Sequence, residues 1–149
     1  MKIVREKLNE VRGNSLTNDG FFVNIESATK SNSNFRKVLY TAKNIQLVLM
    51  TLKPGEDIGM ETHKSDQFFR FESGKGKVII NKKVYKVGDG SAIIVPAGSK
   101  HNIKNVGGGP LTMYTLYAPP HHADGVTHTT KKEAKMSDEH WKGKTTEKL

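Results

Sequence analysis

An all-β sandwich or barrel is the fold class this sequence predicts, and three observations carry it. Short runs rich in β-branched and aromatic residues follow one another from residue 35 to residue 117. Turn signals built from Gly, Pro and Asn stand between them, only a few residues apart. No helical period interrupts the series. Helical patterning is confined to residues 4–11 and 130–142.

The elements take the following order. Residues 1–20 read as a polar arm closing on Asn18-Asp19-Gly20, and residues 21–25 as a short strand. Residues 26–34, with three serines and two asparagines, read as a polar connector. Strands at 35–41 and 44–52 flank Ala42-Lys43 as a hairpin, and Pro54-Gly55 then breaks the chain. Further strands are predicted at 61–64, 67–72, 77–80, 83–87, 92–95, 100–105 and 111–117. Their punctuation is Gly74 and Gly76, Asn81-Lys82, Gly88-Asp89-Gly90, Pro96-Ala97-Gly98 and Gly107-Gly108-Gly109-Pro110. The chain thus divides into an arm and connector (1–34), a barrel (35–120) and a tail (121–149).

A length of 149 residues suits one domain with a sizeable core. No apolar run approaches the roughly 20 residues a spanning helix needs, so a membrane protein of that kind is not expected. The first residues are charged and lack the apolar stretch of a secretory signal, which makes a cytoplasmic location the default expectation. With no cysteine, disulfides and thiolate metal sites are excluded, and any metal must use nitrogen and oxygen ligands. The net charge of +9 is spread along the chain, mostly as lysine, with no basic block interleaved with aromatics. Nucleic acid is therefore not expected as a partner. The excess reads first as a lysine-rich solvated surface; the other reading is attraction for an anionic small molecule, with Lys64, Lys75 and Lys100 as contributors.

Strand alternation puts Glu61 and His63 on one face, and after a short turn Gln67 rejoins that face ahead of Phe69 and Phe71. The two phenylalanines then become core beneath a polar cluster. A lone His in a strand is ordinarily a satisfied structural residue. Here a carboxylate, an imidazole and an amide stand at i, i+2 and i+6, and a second isolated His, His101, opens a strand after Pro96-Ala97-Gly98.

These segments resemble the two motifs of the cupin superfamily. Gly55 through Gly74 is similar to the first: glycine, five residues, His-x-His, three or four residues, Glu, six residues, glycine. Gly90, Pro96, Gly98, His101 and Asn105 match the fixed positions of the second. The resemblance covers about residues 45–120 and implies a double-stranded β-helix, or jelly-roll, barrel with a polar N-terminal arm and a partly helical C-terminal tail. It also implies one divalent metal on Glu61, His63, Gln67 and His101. Two positions depart from the pattern: Glu61 stands where the family has its first His, and Gln67 where it has its Glu. The exchange keeps one anionic ligand in the set, so a bound divalent ion retains the same net charge. Such donors suit Mn, Fe, Co, Ni or Zn; a metal-free polar pocket is the alternative.

The tail, Tyr117-Ala118-Pro119-Pro120-His121-His122-Ala123-Asp124-Gly125, resembles small single-domain cupins described as mannose-6-phosphate isomerase-like. That resemblance makes His121 and His122 candidate acid-base residues, with Asp124 and His128 nearby, and implies a homodimer. The other reading is a structural wrap over a sheet face, with Trp141 as its anchor and His140 at the surface. Three functions follow: a metal-dependent isomerase of a small phosphorylated or acidic sugar, a non-haem Fe(II) dioxygenase, or a non-catalytic metabolite-binding cupin.

Overall fold

The computed structural model describes residues 19–147. Among them the chain forms helix α1 (Ile25–Ser31), then strands β1 (Arg36–Thr41), β2 (Gln46–Leu52), β3 (Asp66–Ser73), β4 (Gly76–Ile80) and β5 (Lys83–Val87). Strands β6 (Ala92–Val95), β7 (His101–Asn105), β8 (Leu111–Ala118) and β9 (Thr127–His128) follow, and helix α2 (Lys131–Met136) comes last. One sheet runs in the order β6-β3-β8-β2-β1-β9 and the other in the order β5-β4-β7; the pairings are antiparallel.

The two sheets enclose one apolar core as a jelly-roll barrel. Met50, Phe69, Phe71 and Met113 of the larger sheet meet Val78 and Ile103 of the smaller. Each such side chain, once buried, contributes about 1.5–3 kcal/mol relative to exposure. β2 reads as a nearly unbroken apolar run because both its faces are covered. Val48 and Met50 point into the barrel, whereas Leu49 packs outward with Ala28 and Leu39 under α1.

Helix α1 replaces the connector expected over residues 26–34. Asn24 caps it by accepting the Ser27 N–H at 3.0 Å, and Glu26 pairs with Lys30 one turn on at 2.7 Å. Phe21, Val23 and Ile25 pack against the outer cluster without forming the strand predicted at 21–25. The strand predicted at 61–64 is also absent. After Gly59, at φ +106°, only Glu61 pairs with a neighbour, and the chain bends again at Lys64-Ser65. In the tail, helix covers six residues of the predicted 130–142. Thr130 and Glu133 form a capping box at its start, and the chain is extended again at Ser137. The helix predicted at 4–11 lies outside the described residues.

Among the described residues, no helix is long and apolar enough to cross a membrane. Gly74 shows why the first motif ends on glycine. Its φ is +104°, and a Cβ there would sit 2.6 Å from the Pro110 carbonyl oxygen.

Candidate metal centre

The centre is assembled by backbone bonds that need no particular side chain. Glu61 and His101 exchange both backbone bonds, at 2.8 and 2.9 Å, which ties the loop before β3 to the first residue of β7. The Pro96-Ala97-Gly98 turn adds a second tie, since the Gly98 N–H donates to the His63 carbonyl at 2.8 Å. Residues some 40 positions apart are thereby brought together. Ligand atoms of Glu61, His63 and His101 all lie within 4.8 Å of one another.

Local bonds orient these groups. His101 donates its Nδ1–H to the Ser99 carbonyl at 2.9 Å, which leaves Nε2 with a free lone pair. His63 donates Nε2–H to Glu61 Oε2 at 2.9 Å. Gln67, opposite Tyr117 in the β3–β8 ladder, donates Nε2–H to Thr115 Oγ1 at 3.0 Å. Its carbonyl oxygen Oε1 is buried and has no hydrogen-bond partner. A buried amide oxygen without a donor costs free energy and fits a ligand position. Two imidazole nitrogens, a carboxylate and an amide oxygen are a donor set for a divalent metal of the Mn-to-Zn series.

The tail closes over this cluster. His121 stacks on Tyr117, centroid to centroid 5.3 Å, and lies 4.2 Å from the ring of His63. His122 turns the other way. Its Nδ1–H donates to Glu139 at 2.7 Å, and its Nε2 faces the Tyr117 hydroxyl at 3.2 Å. Gln46 holds both histidines through their backbone: Oε1 accepts the His121 and His122 N–H groups at 3.1 and 3.0 Å, and Nε2 donates to the His122 carbonyl at 2.7 Å.

Burial and charge set the protonation states. Burial pushes the Glu61 carboxyl up, but the hydrogen bond and charge of His63, with Arg36 and His101 behind, bring it below its ordinary value. Burial lowers His101 against the pull of the Ser99 carbonyl. It also lowers His121, with His122 and His63 adding to it, to about 4. The Tyr117 hydroxyl is raised, chiefly by burial, and stays protonated. Burial opposes ionisation of Glu139, yet the hydrogen bond and charge of His122, the Ala123 N–H and Arg36 hold it at about 2.

Glu61, His63, His101 and His121 therefore gather together, Gln67 lies beside Thr115 and Tyr117, and His122 sits behind Tyr117. Asp124 accepts the Thr146 hydroxyl at 2.7 Å instead of joining the cluster. Lys64, Lys75 and Lys100 are exposed, as is His140. Trp141 ties the tail down, its backbone N–H donating to the His121 carbonyl at 2.9 Å. Sequence reasoning missed Gln46, Glu139 and Arg36. Gln46 carried one available signal, being a strongly polar residue at the head of a largely apolar strand.

Comparison with known proteins agrees with this architecture. The family described as Cupin domain matches residues 48–117. The uncharacterized protein YrkC of Bacillus subtilis (strain 168) is 47% identical over 126 residues, covering 80% of this chain and 68% of that protein. Protein L612 of Acanthamoeba polyphaga mimivirus is 37% identical over 113 residues, covering 72% of this chain and 71% of its own. The crystal structure of BH2720 from Bacillus halodurans is 41% identical with a TM-score of 0.78, covering 83% of this chain and 99% of that one.

Proposed function

This chain belongs to the cupin superfamily, and we propose that it is a metal-dependent enzyme that moves a proton between adjacent carbons of a small anionic hydroxy-carbonyl compound. One observation carries the reading. A ring able to exchange protons, His121, lies 4.2 Å from a member of the cluster that could hold a metal ion. Glu61, His63 and His101, with the open oxygen of Gln67, are the residues that would hold that ion. Bound there, a divalent metal supplies Lewis acidity to the oxygens of the substrate.

The chain's own residues do the rest. His121 takes the proton from one carbon and returns it to the next. Glu139 accepts from His122, and His122 Nε2 in turn accepts from the Tyr117 hydroxyl. This fixes the aromatic face on which His121 stacks. Tyr117, His122 and Glu139 are positioning residues in this scheme, and Gln46 sets the backbone from which both histidines project.

The test is solvent deuterium uptake at the carbon next to the carbonyl, under nitrogen, with metal-loaded protein and a panel of hexose phosphates and hexuronates. Exchange that disappears in His121→Ala supports the reading; a fully loaded protein that exchanges nothing across the panel contradicts it. A second reading is favoured by the ligand set itself, since two His and one carboxylate with open positions are associated with Fe(II) oxygen chemistry. Oxygen uptake by Fe(II)-loaded protein, without proton exchange under nitrogen, would select that dioxygenase. Tight ligand binding with neither activity would select a non-catalytic module.

A further inference from the structure

β1 carries a charge that the metal cluster does not use. Arg36 shares the inward face of that strand with Val38, and it stands opposite Met50 on one side and His128 on the other. It is 7% exposed. Its Nε is buried without a hydrogen-bond partner, and its Nη1 has only His128 Nδ1, at 3.4 Å. Among the described residues it takes part in no ion pair within 4 Å, although burying a guanidinium unpaired is costly.

This cation opens onto a cavity of about 410 Å³ between the tail and the loop that carries Glu61. The cavity reaches Arg36, Glu61, His122, Lys131, Lys135 and Glu139. The nearby carboxylates already have partners. Glu61 is held by His63, and Glu139 by His122 and the Ala123 N–H. Asp57, which also accepts from Asn102, is paired with Lys131 at 2.5 Å. Arg36 is thus the buried group here whose donors stay open, while its charge helps to hold Glu61 and Glu139 ionised, and it faces a space that also contains a member of the metal cluster.

We propose that this cavity binds the carboxylate of a small organic acid, with Arg36 as its forked partner, so that the rest of the molecule reaches the cluster at Glu61. A carboxylate fits better than a phosphate. A single planar guanidinium matches one negative charge through two parallel bonds. A phosphate dianion asks for a second buried cation, whereas Lys131 is already matched and Lys135 is exposed. The inference rests on the proposed function, whose substrate it narrows to acids over phosphate esters.

The experiment is a titration of chelator-treated, metal-free protein with gluconate, glucose 6-phosphate and inorganic phosphate at constant ionic strength. It is followed through the arginine Nε–H signals and by calorimetry. The chain has four arginines, Arg5, Arg12, Arg36 and Arg70, so the Arg36 signal is assigned by its loss in Arg36→Met. The expected result is a shift of that signal with gluconate and gluconate binding at least about 10-fold weaker in Arg36→Met. Arg36→Lys is expected to fall between the two, keeping the charge and losing the fork. Without ligand, Arg36→Met melts at or near the wild-type temperature, because it removes buried donors that nothing in the chain accepts and keeps the packing. If Arg36→Met does not fold, Arg36→Lys, which also lacks that Nε–H, assigns the wild-type signal, and its response to gluconate decides. An unmoved Nε–H signal, or phosphate compounds binding more tightly than gluconate, overturns the proposal. Because no metal is present, gluconate binding survives a failure of the metal reading. Conversely, Arg36→Met that loses gluconate and still takes up metal separates the two sites.

Discussion

Two regions of polar side chains lie side by side at the open end of this barrel, and they are built by opposite rules. In the tail clamp the side chains of Gln46, His122 and Glu139 all have partners at hydrogen-bonding distance. In the metal centre and the adjoining cavity, groups are buried and left open: the oxygen of Gln67 and the Nε of Arg36 have no partner. Fully matched buried groups specify a conformation. Unmatched ones cost stability, and a ligand that completes them recovers it. The difference teaches that the clamp is architecture, whereas the centre has the open groups that the proposed metal and acid would need.

Substitutions in the two regions should therefore fail in different ways. The largest effect is expected in the clamp. Gln46→Leu strips partners from two backbone N–H groups and one carbonyl, and should lower stability by about 3–5 kcal/mol in urea unfolding. A loss below about 1 kcal/mol would mean that the tail is held by other contacts. In the centre, His101→Ala should reverse the pattern. Divalent metal affinity falls about 100-fold or more, while the stability of the metal-free protein changes by no more than about 1–2 kcal/mol.

Glu139→Gln returns to the clamp with a smaller cost, about 1–2 kcal/mol at pH 7, and with a pH signature. The Glu139 carboxyl is depressed from 4.5 to about 2, with His122 as the main stabilising partner. Its contribution is fully present above pH 4.5 and drains away as pH falls towards 2. The stability gap between wild type and Glu139→Gln should shrink over that interval. A gap that stays constant down to pH 2.5 would remove the ionised Glu139 carboxylate and its bond from His122 from the account. The smallest effect belongs to Gln67→Met. It should lower metal-free stability by about 1 kcal/mol, because the bond to Thr115 Oγ1 goes together with an acceptor that is already unpaired, while metal affinity drops several-fold.

The sequence was most informative where physical constraint is local. Alternation and turn residues placed the strands from β1 to β8, and the motif resemblance pointed to Glu61, His63 and His101, which the fold brings together. It was less informative where tertiary contact overrides local pattern. Residues 26–34 look like a connector because serine and asparagine dominate, yet Ala28 finds Leu39 and Leu49 across the sheet and the segment folds as helix. Glu61 looks like part of a strand, but its pairing is a single bridge of two backbone bonds to one residue of β7. His121 and His122 are indistinguishable as letters. Only the bonds from Gln46 and Glu139 send one ring towards His63 and the other behind Tyr117. Arg36 was hidden by the same limit. Its sequence neighbours say nothing about whether a carboxylate lies nearby in space.

The most direct test of the central claim is metal analysis of protein purified without chelator, alongside Glu61→Ala and His101→Ala prepared in the same way. One equivalent of a divalent metal in the wild type, absent from both variants while their barrels remain folded, is the predicted result. A wild-type protein that stays empty with excess Mn, Fe, Co, Ni or Zn supplied, or variants that keep a full equivalent, would contradict it.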